Sequence, residues 1–308
     1  MTAERVAITG AGGFIGRHLV RHLADQGSEV AAHCGADREV EFVREHASAV
    51  FVGDIFDESM FTQLLDGAQT VIHLAGPPSV AESFSAPMEC ARVHVLGTIG
   101  IAGAALQSGA SRFVYVSSAE VYGSVSAASV AEAAPLLPRS PYGAAKLAAE
   151  HFVRTLCAGR LSAVIVRPFS IYGPGAPSAA VVPTILRQTG RGERIELANL
   201  APVRDFCYID DVVRGIALAG RQRSQSVEVF NLGSGVGVSV RELAQVALVA
   251  VGREMPIVQC APADRPQSAD VDRLVADASR ARVQLEWVPE VSLVDGLRRT
   301  LCDREYLA

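Results

Sequence analysis

Short apolar segments alternate with longer amphipathic segments over the first 170 residues of this 308-residue chain. Some of these short segments have the continuous apolar character of buried strands. They are 6–9, 29–33, 50–52, 70–74, 112–117 and 163–167. Several intervening stretches have helical periodicity, among them 14–26, 91–108 and 142–158. The alternation predicts a doubly wound α/β fold, in which helices cover both faces of a parallel sheet.

The pattern changes after Arg167, where four prolines fall between 168 and 183. Proline interrupts regular structure, so we expect the chain to leave the sheet here and to build a smaller C-terminal lobe. We predict a first domain over 1–167, with 205–233 returning to it, and a substrate-binding lobe over 168–204 and 234–308.

The composition, 49% hydrophobic and 20% charged, is typical of a folded globular protein. A net charge of -5 with scattered arginines gives no basic surface for nucleic acid. The N-terminus lacks the apolar segment of a signal peptide, and no apolar run of about 18 residues predicts a membrane span. The six cysteines form no C-x-x-C pair. We therefore expect a cytoplasmic protein with reduced thiols, no metal site and no membrane or nucleic-acid partner.

A glycine-rich turn, T-G-A-G-G-F-I-G, follows the first strand and opens the first helix. It spaces Gly10, Gly13 and Gly16 as G-x-x-G-x-x-G. Glycine allows a tight turn, lets backbone N–H groups approach a pyrophosphate, and lets the helix pack closely on the strand. The turn therefore predicts a dinucleotide site that includes Phe14 and Ile15, and with it a Rossmann-type sheet.

The second strand ends without the acid that commonly holds the adenosine ribose, because Cys34 stands at that position. Without a carboxylate there, nothing repels a 2′-phosphate, and His33 or Arg38 could pair with one. We therefore favour NADP(H) over NAD(H). The alternative is that Asp37 reaches the ribose from the following loop.

Two further strand ends carry candidate residues. Asp54, next to Ile55, follows the third strand and could cap the adenine amino group, or could be a plain turn aspartate. Ser117 and Ser118 end the fifth strand, and Glu120 follows two residues later. Ligands of parallel sheets bind outside the carboxyl ends of the strands. The two serines therefore lie where an oxygen of a ligand would be held.

The chain contains one lysine, Lys146, among 28 basic residues, and it follows Tyr142 by four positions. On a helix the two side chains share a face. Pro141 suits the first turn of that helix, with Ser140 as its N-cap. A nearby ammonium would lower the pKa of the tyrosine from its usual value near 10 and fit it for proton transfer. The alternative is that the single lysine stands here by chance.

An ordered set of motifs runs from about residue 5 to residue 300: T-G-A-G-G-F-I-G, H-L-A-G, S-S-A-E-V-Y-G, S-P-Y-G-A-A-K, R-P-F-S-I-Y-G-P-G, R-D-F-C-Y-I-D-D-V and N-L-G-S-G. Together they resemble the extended short-chain dehydrogenase/reductase family, in its nucleotide-sugar epimerase/dehydratase branch. The resemblance implies a Rossmann domain with a substrate lobe. It also implies a homodimer formed through the helices near 91–108 and 142–158.

The resemblance also implies roles for individual residues. Tyr142 would be the acid/base at the sugar hydroxyl, Lys146 would bind the nicotinamide ribose, and Ser118 would hold the substrate oxygen. Glu120 stands where family dehydratases carry an additional glutamate. The segments 73–76 and 168–170 would line the nicotinamide, through Leu74, Ala75, Gly76 and Pro168.

Within the branch, S-V-A-E-S, V-V-P, N-L before R-D-F, and R-P most resemble the group of GDP-mannose 4,6-dehydratase and GDP-4-keto-6-deoxymannose reductase. This makes Arg204 and Arg265 candidate clamps for the diphosphate, since arginine binds phosphate through two donors. The alternative for each is a surface ion pair. Ser79, Ser170 and Asn199 are candidate substrate contacts.

Three positions depart from the family pattern. His94 and Ser170 stand where the family usually has asparagine, and Ala119 replaces an acid that one dehydratase subgroup carries. The first change bears on helix packing behind the site, and we expect His94 to be structural rather than catalytic. The second change bears on the substrate pocket.

We therefore predict an NAD(P)-dependent enzyme of epimerase/dehydratase type that transfers hydride at C4 of a nucleoside-diphosphate sugar, with Tyr142 as acid/base. The first alternative is a net NADPH-dependent reductase of a 4-keto-6-deoxy sugar. A second is a reductase of an apolar, hydroxysteroid-like substrate, which would not need two arginine clamps. A third is a non-catalytic, redox-sensing dinucleotide binder, which would not need Ser118, Tyr142 and Lys146 together.

Overall fold

The computed structural model describes residues 3–224, 226–260 and 271–302. Its strands are β1 (Arg5–Thr9), β2 (Glu29–Cys34), β3 (Ala49–Val52), β4 (Thr70–His73), β5 (Arg112–Val116), β6 (Ser162–Pro168), β7 (Ser170–Tyr172), β8 (Ile195–Leu197), β9 (Val203–Tyr208), β10 (Glu228–Leu232), β11 (Gly237–Ser239), β12 (Ile257–Gln259) and β13 (Arg273–Leu274).

Its helices are α1 (Phe14–Asp25), α2 (Glu58–Leu64), α3 (Val80–Ser85), α4 (Pro87–Ala91), α5 (Gly97–Ser108), α6 (Pro141–Cys157), α7 (Val181–Arg191), α8 (Ile209–Ala219), α9 (Val240–Val251), α10 (Ser279–Gln284) and α11 (Leu293–Leu301). Two 3-10 helices cover Asp37–Phe42 and Ala119–Val121, and a π-helical turn over Arg92–Leu96 joins α4 to α5.

Seven parallel strands form the main sheet, in the order β10-β6-β5-β4-β1-β2-β3. Helices cover both of its faces. On β1, Val6 and Ile8 belong to the apolar core that includes α1 and α8, whereas Ala7 belongs to the core that includes α5 and α6. Burial on both faces explains why the strands are continuous apolar runs. The prediction of a doubly wound, Rossmann-type sheet is confirmed.

The six remaining strands of the described residues form two smaller sheets after Pro168. In one of them β9 pairs in parallel with β7 and β13 and antiparallel with β11, and β8 pairs with β12 in another. Residues 205–208 lie in the sheet of β9, and β10 carries the chain back to the main sheet beside β6. The division into two domains at the predicted boundaries stays a prediction.

The helical stretch Pro87–Ser108 is long and apolar enough, with a mean hydropathy of 1.2, to span a membrane by composition alone. A single such helix is weak support for a span, since core helices pass the same test. Ile101 and Ala105 of this stretch are fully buried in the core with α6. The opposite side carries the exposed side chains of Met88 and Leu96, which are 82% and 55% accessible.

Candidate active site

A cleft of about 990 Å³ opens at the carboxyl ends of the main-sheet strands. Most of the residues predicted for the site line it. They are Gly10, Gly13, Phe14, Ile15, Gly16, His33, Arg38, Asp54, Ile55, Leu74, Ala75, Gly76, Ser117, Ser118, Glu120, Tyr142, Pro168 and Ser170. Because these residues come from seven separate segments of the chain, the sheet topology brings them together.

The glycine turn leaves the beginning of α1 open to an anion. Gly10 has a φ of +71°, and a Cβ on Gly16 would lie 2.2 Å from the Gly10 carbonyl oxygen. The first turn of α1 has no side-chain cap and no acidic residue. Its first N–H groups therefore remain available as donors at the positive end of the helix, which fits a dinucleotide pyrophosphate.

The end of β2 differs from the sequence prediction. The thiol of Cys34 is fully buried, and burial raises its pKa to about 11. His33 is also buried, its Nε2 donates to the Gly53 carbonyl at 3.0 Å, and its Nδ1 accepts from the Gly10 N–H at 3.4 Å. Burial lowers the pKa of His33, so the ring is neutral. The expectation that His33 could pair with a 2′-phosphate is therefore wrong.

A carboxylate does lie at this end of the cleft, contrary to the premise that favoured NADP(H). Glu39 Oε2 accepts a hydrogen bond of 3.0 Å from the Gly35 N–H, and Glu39 lines the cleft. Asp37, the proposed alternative, is exposed and is not among the described residues that line the cleft. Glu39 was missed because it lies five residues beyond the usual position, on a 3-10 helix whose direction the sequence does not indicate.

Asp54 also serves a local role, because its Oδ1 accepts from the Phe56 N–H at 3.1 Å. Next to it, Arg92 and Glu89 form an ion pair of 2.8 Å and line the cleft, although no motif in the sequence singled them out. The Arg92 guanidinium lies 4.2 Å from the centre of the Phe56 ring. These contacts shape the wall of the cleft on the side of Ile55.

The start of α6 places Tyr142 in the cleft. Ser140 Oγ accepts from the Gly143 N–H at 3.0 Å and Pro141 occupies the first turn, which confirms both predictions. A Cβ on Gly143 would lie 2.7 Å from the Glu120 carbonyl oxygen, so α6 begins in close contact with the segment after β5. This contact brings Ser118 to the tyrosine, and a hydrogen bond links the two side chains.

The electrostatics of Tyr142 differ from the prediction. Burial raises the pKa of its phenol well above the ordinary value, against the effect of the hydrogen bond with Ser118, and the charge of Glu120 raises it further. Lys146 Nζ donates to the Val116 carbonyl at 2.9 Å and lies 5.9 Å from the centre of the Tyr142 ring. The predicted lowering of the tyrosine pKa by Lys146 is therefore wrong, because desolvation dominates.

Lys146 lies behind the wall of the cleft rather than on it. It is buried, and burial lowers its pKa to about 8. Its ammonium also lies 5.0 Å from the centre of the Tyr115 ring. The lysine is therefore a buried cation next to Tyr142.

His94 lies in the π-helical turn, directly behind the cleft. Its ring meets the Tyr142 ring edge to face, with centroids 5.3 Å apart, and its Nε2 donates to the Pro77 carbonyl at 3.0 Å. A Cβ on Gly76 would lie 2.3 Å from the His94 ring. Burial lowers the pKa of His94 to about 3, so it is neutral. These contacts support the expectation that His94 has a packing role.

A buried polar network connects the end of β5 to α6 and β6. Ser117 Oγ donates to Glu150 at 2.6 Å, so the hydroxyl predicted to face a cofactor is bound to a carboxylate. Glu150 is also ion-paired with Arg167 at 2.6 Å, and Arg167 donates to the Tyr122 hydroxyl at 2.8 Å. Tyr122 in turn donates to Asn231 on β10 at 2.7 Å.

Three of the predicted substrate contacts, unlike Ser118, Glu120 and Ser170, do not line the cleft. Ser79 Oγ caps α3 by accepting from the Glu82 N–H at 3.1 Å. Asn199 Oδ1 accepts from the Ala201 N–H at 3.1 Å, and an Arg204 Nη1 donates to the Val203 carbonyl at 3.1 Å. In the described part of the chain, Ser79, Asn199 and Arg204 are not among the residues that line the cleft.

Arg265 lies outside the described residues, so its predicted role stays a prediction. No group of three potential metal ligands occurs among the described residues. Their cysteines are all free thiols.

The chain is similar to known proteins over nearly its whole length. A family described as GDP-mannose 4,6 dehydratase matches residues 7–300. The chain is 32% identical to a UDP-glucose 4-epimerase of Mycolicibacterium smegmatis, over 96% of this chain and 97% of that protein. It is 31% identical to a GDP-6-deoxy-D-mannose reductase of Pseudomonas aeruginosa, over 98% of this chain and 97% of that protein. Among solved structures, MoeE5 in complex with UDP-glucose and NAD superposes with a TM-score of 0.88 at 30% identity. The match covers 99% of this chain and 98% of the MoeE5 chain.

Proposed function

Because the chain belongs to the nucleotide-sugar epimerase/dehydratase branch of the extended short-chain dehydrogenase/reductase family, we propose that it transfers hydride at C4 of a nucleoside-diphosphate sugar. We further propose that the reaction is redox-neutral overall, so that the bound dinucleotide is regenerated in each turnover. The observation that carries the proposal is the hydrogen-bonded pair of Ser118 and Tyr142, which shares one cleft with the uncapped start of α1.

Each part of the cleft then has a task. When bound, the nicotinamide dinucleotide supplies the site that accepts and returns the hydride. The N–H groups of the glycine turn hold its pyrophosphate. Ser118 holds the C4 oxygen of the sugar, and Tyr142 moves the proton at that oxygen.

The burial of Tyr142 sets the direction in which it works most easily. A phenol with a raised pKa stays protonated, so it donates its proton when a C4 ketone is reduced. Oxidation of the C4 hydroxyl requires the phenolate instead. The ammonium of Lys146 lies 5.9 Å from the centre of the Tyr142 ring, so it is a cation close to this phenolate, but it does not outweigh the desolvation of the phenol.

The segment after β5 favours epimerisation over dehydration. A dehydratase needs a base for the C5 hydrogen and an acid for the C6 hydroxyl, in addition to Tyr142. Ala119 is a buried apolar residue, and Glu120 is the only acid of S-S-A-E-V-Y-G. An epimerase needs only Tyr142 and space for the 4-keto sugar to rotate.

A net 4-keto reductase is the second candidate. The similarity to a GDP-6-deoxy-D-mannose reductase over nearly the full length of both chains favours it. This reaction would consume an external reduced dinucleotide in each turnover, and Tyr142 would act as the acid.

Identification of the dinucleotide carried by the purified protein separates the two candidates. The protein is denatured, and the released nucleotide is identified and counted by chromatography. Near-stoichiometric NAD+ is expected for the redox-neutral enzyme. An empty site that binds NADPH reversibly, together with turnover of a 4-keto sugar, would replace the first proposal with the second.

A further inference from the structure

The adenosine end of the cleft contains an acid at an unusual place. The position that commonly carries the ribose-binding acid is Cys34, whose side chain is fully buried. Glu39 follows five residues later, on the 3-10 helix Asp37–Phe42, and turns back toward the strand end. Its Oε2 accepts from the Gly35 N–H at 3.0 Å, directly after Cys34.

We propose that Glu39 supplies the carboxylate that Cys34 lacks, binds the two hydroxyls of the adenosine ribose, and thereby selects NAD(H) over NADP(H). This inference rests on the proposed function only in requiring that the cleft bind a dinucleotide. It does not depend on the sugar or on the reaction.

The glycine turn is shaped to accept Glu39. A Cβ on Gly12 would lie 2.3 Å from the Cβ of Glu39 and 3.1 Å from its Oε2. Gly12 is not one of the three glycines of the G-x-x-G-x-x-G spacing, so pyrophosphate binding does not explain it. The close approach of Glu39 does, because any larger side chain at position 12 would displace it.

The carboxylate has room for further donors. An ionised carboxylate offers about four lone-pair sites, and the Gly35 N–H occupies one of them. The 2′- and 3′-hydroxyls of a ribose can use two of the others. A 2′-phosphate would instead place a second anion, carrying a charge of about -1.5 to -2, against the same carboxylate.

The nearby basic groups do not offset this repulsion. His33 is buried and neutral, and both of its ring nitrogens are already hydrogen-bonded. Arg38 lines the cleft and is exposed, whereas Glu39 is half-buried and held by the Gly35 N–H. A fixed carboxylate loses less conformational entropy on binding than a long exposed side chain does. Glu39 therefore decides the preference against Arg38.

The test uses two probes that lack the nicotinamide and cannot react, ADP-ribose and ADP-ribose 2′-phosphate. Their dissociation constants are measured by calorimetry on nucleotide-free protein. We expect the wild type to bind ADP-ribose more tightly by at least about tenfold, and Glu39→Gln to weaken ADP-ribose by about tenfold, since hydrogen bonds to a charged group are among the stronger ones. The same variant should improve binding of the 2′-phosphate.

Two controls keep the result specific. Glu41→Gln removes an exposed carboxylate from the same 3-10 helix and should leave both constants unchanged. Equal melting temperatures of wild type and Glu39→Gln would show that the substitution leaves the fold intact. If the melting temperatures differ, the ratio of the two dissociation constants of the wild type still tests the proposed preference for NAD(H) over NADP(H).

Tighter binding of the 2′-phosphate by the wild type, lost in Arg38→Ala, would overturn the inference and make Arg38 the specificity residue. An unchanged ratio of the two constants in Glu39→Gln would also overturn it, while leaving the proposed function intact. Failure of both probes to bind would overturn the dinucleotide site itself, and the proposed function with it.

Discussion

Burial acts in opposite directions on the two ionisable side chains at the start of α6. It raises the pKa of Tyr142 and lowers that of Lys146 to about 8, because a low dielectric disfavours the charged form of each. The lysine is therefore kept as a cation at a cost in stability. This cost supports the proposal that Lys146 serves the chemistry of the site rather than the fold.

The cost in stability can be tested by comparing how the free energy of unfolding depends on pH in the wild type and in Lys146→Met. At neutral pH the ammonium is charged in both the folded and the unfolded chain, so the folded state bears the full desolvation. Between about pH 8 and pH 10.5 the folded protein has lost the proton and the unfolded chain has not, so stability rises with pH. The free energy of unfolding of the wild type should thus gain roughly 2–3 kcal/mol relative to Lys146→Met over this interval.

Urea titrations of both proteins at several pH values measure the difference. The difference between the two proteins cancels the contributions of the titratable groups that both proteins share to the free energy of unfolding. A difference that stays constant from neutral to alkaline pH would contradict the buried, destabilised ammonium.

For individual residues, the sequence predicted their places in the fold better than it predicted their pKa values. The i, i+4 spacing of Tyr142 and Lys146 and the cap at Ser140 are local, so they could be recognised. The pKa values depend on the Val116 carbonyl and on other groups brought from distant strands. Glu39 escaped prediction for the same reason, since its position depends on how a short helix folds over Gly12.

At the scale of elements, an ion pair fastens α6 to β6. Glu150 and Arg167 are each about 1% exposed in their side chains and approach to 2.6 Å. Glu150 also accepts a hydrogen bond from Ser117, and Arg167 also donates one to the Tyr122 hydroxyl. The pair thus fixes the helix that carries Tyr142 against the strand that borders the cleft.

Glu150→Gln is expected to destabilise the protein by about 3–5 kcal/mol, because it leaves the Arg167 charge buried without its counter-charge. Arg194 and Glu196 form an exposed pair at the same distance of 2.6 Å. Arg194→Gln should therefore change the free energy of unfolding by at most about 1 kcal/mol. Chemical denaturation of both variants measures the contrast, and losses of similar size would refute the role given to the buried pair.

The main-sheet strands up to β6 and three of the helices were predictable, whereas the strands of the smaller sheets were not. The strands of the main sheet up to β6 and the helices α1, α5 and α6 agree with their predicted ranges to within about two residues at most ends. The sheet of β9 rests on strands of two to six residues whose pairing is set by distant partners. The π-helical turn at Arg92–Leu96 has no periodic signature, since it inserts into an otherwise regular helix.

On the scale of the whole molecule, the stretch Pro87–Ser108 presents an apolar side to solvent. Leu96 is 55% exposed and Phe152 on the neighbouring helix α6 is 43% exposed. Burial of such side chains against a second copy would remove them from water. We therefore propose a homodimer that packs these two helices against their counterparts.

Leu96→Glu should shift the protein toward the monomer, because it places a charge in the proposed interface. Val249→Glu is the matched control, since Val249 is 68% exposed on α9, far from these helices in the sequence. Multi-angle light scattering at micromolar concentration gives the mass of each. A wild-type monomer, or a Leu96→Glu dimer as stable as the wild type, would contradict the proposal.

The proposed function depends on hydride transfer at C4 with Tyr142 moving the proton. The most direct measurement mixes stoichiometric enzyme and NAD+ with UDP-, dTDP- and GDP-hexoses in turn, and follows the absorbance of reduced nicotinamide in a single turnover. The wild type should reduce the dinucleotide with at least one of these sugars. Tyr142→Phe should bind the dinucleotide but react more slowly by about 10²- to 10⁴-fold. No reduction with any sugar, or an unchanged rate in Tyr142→Phe, would contradict the account.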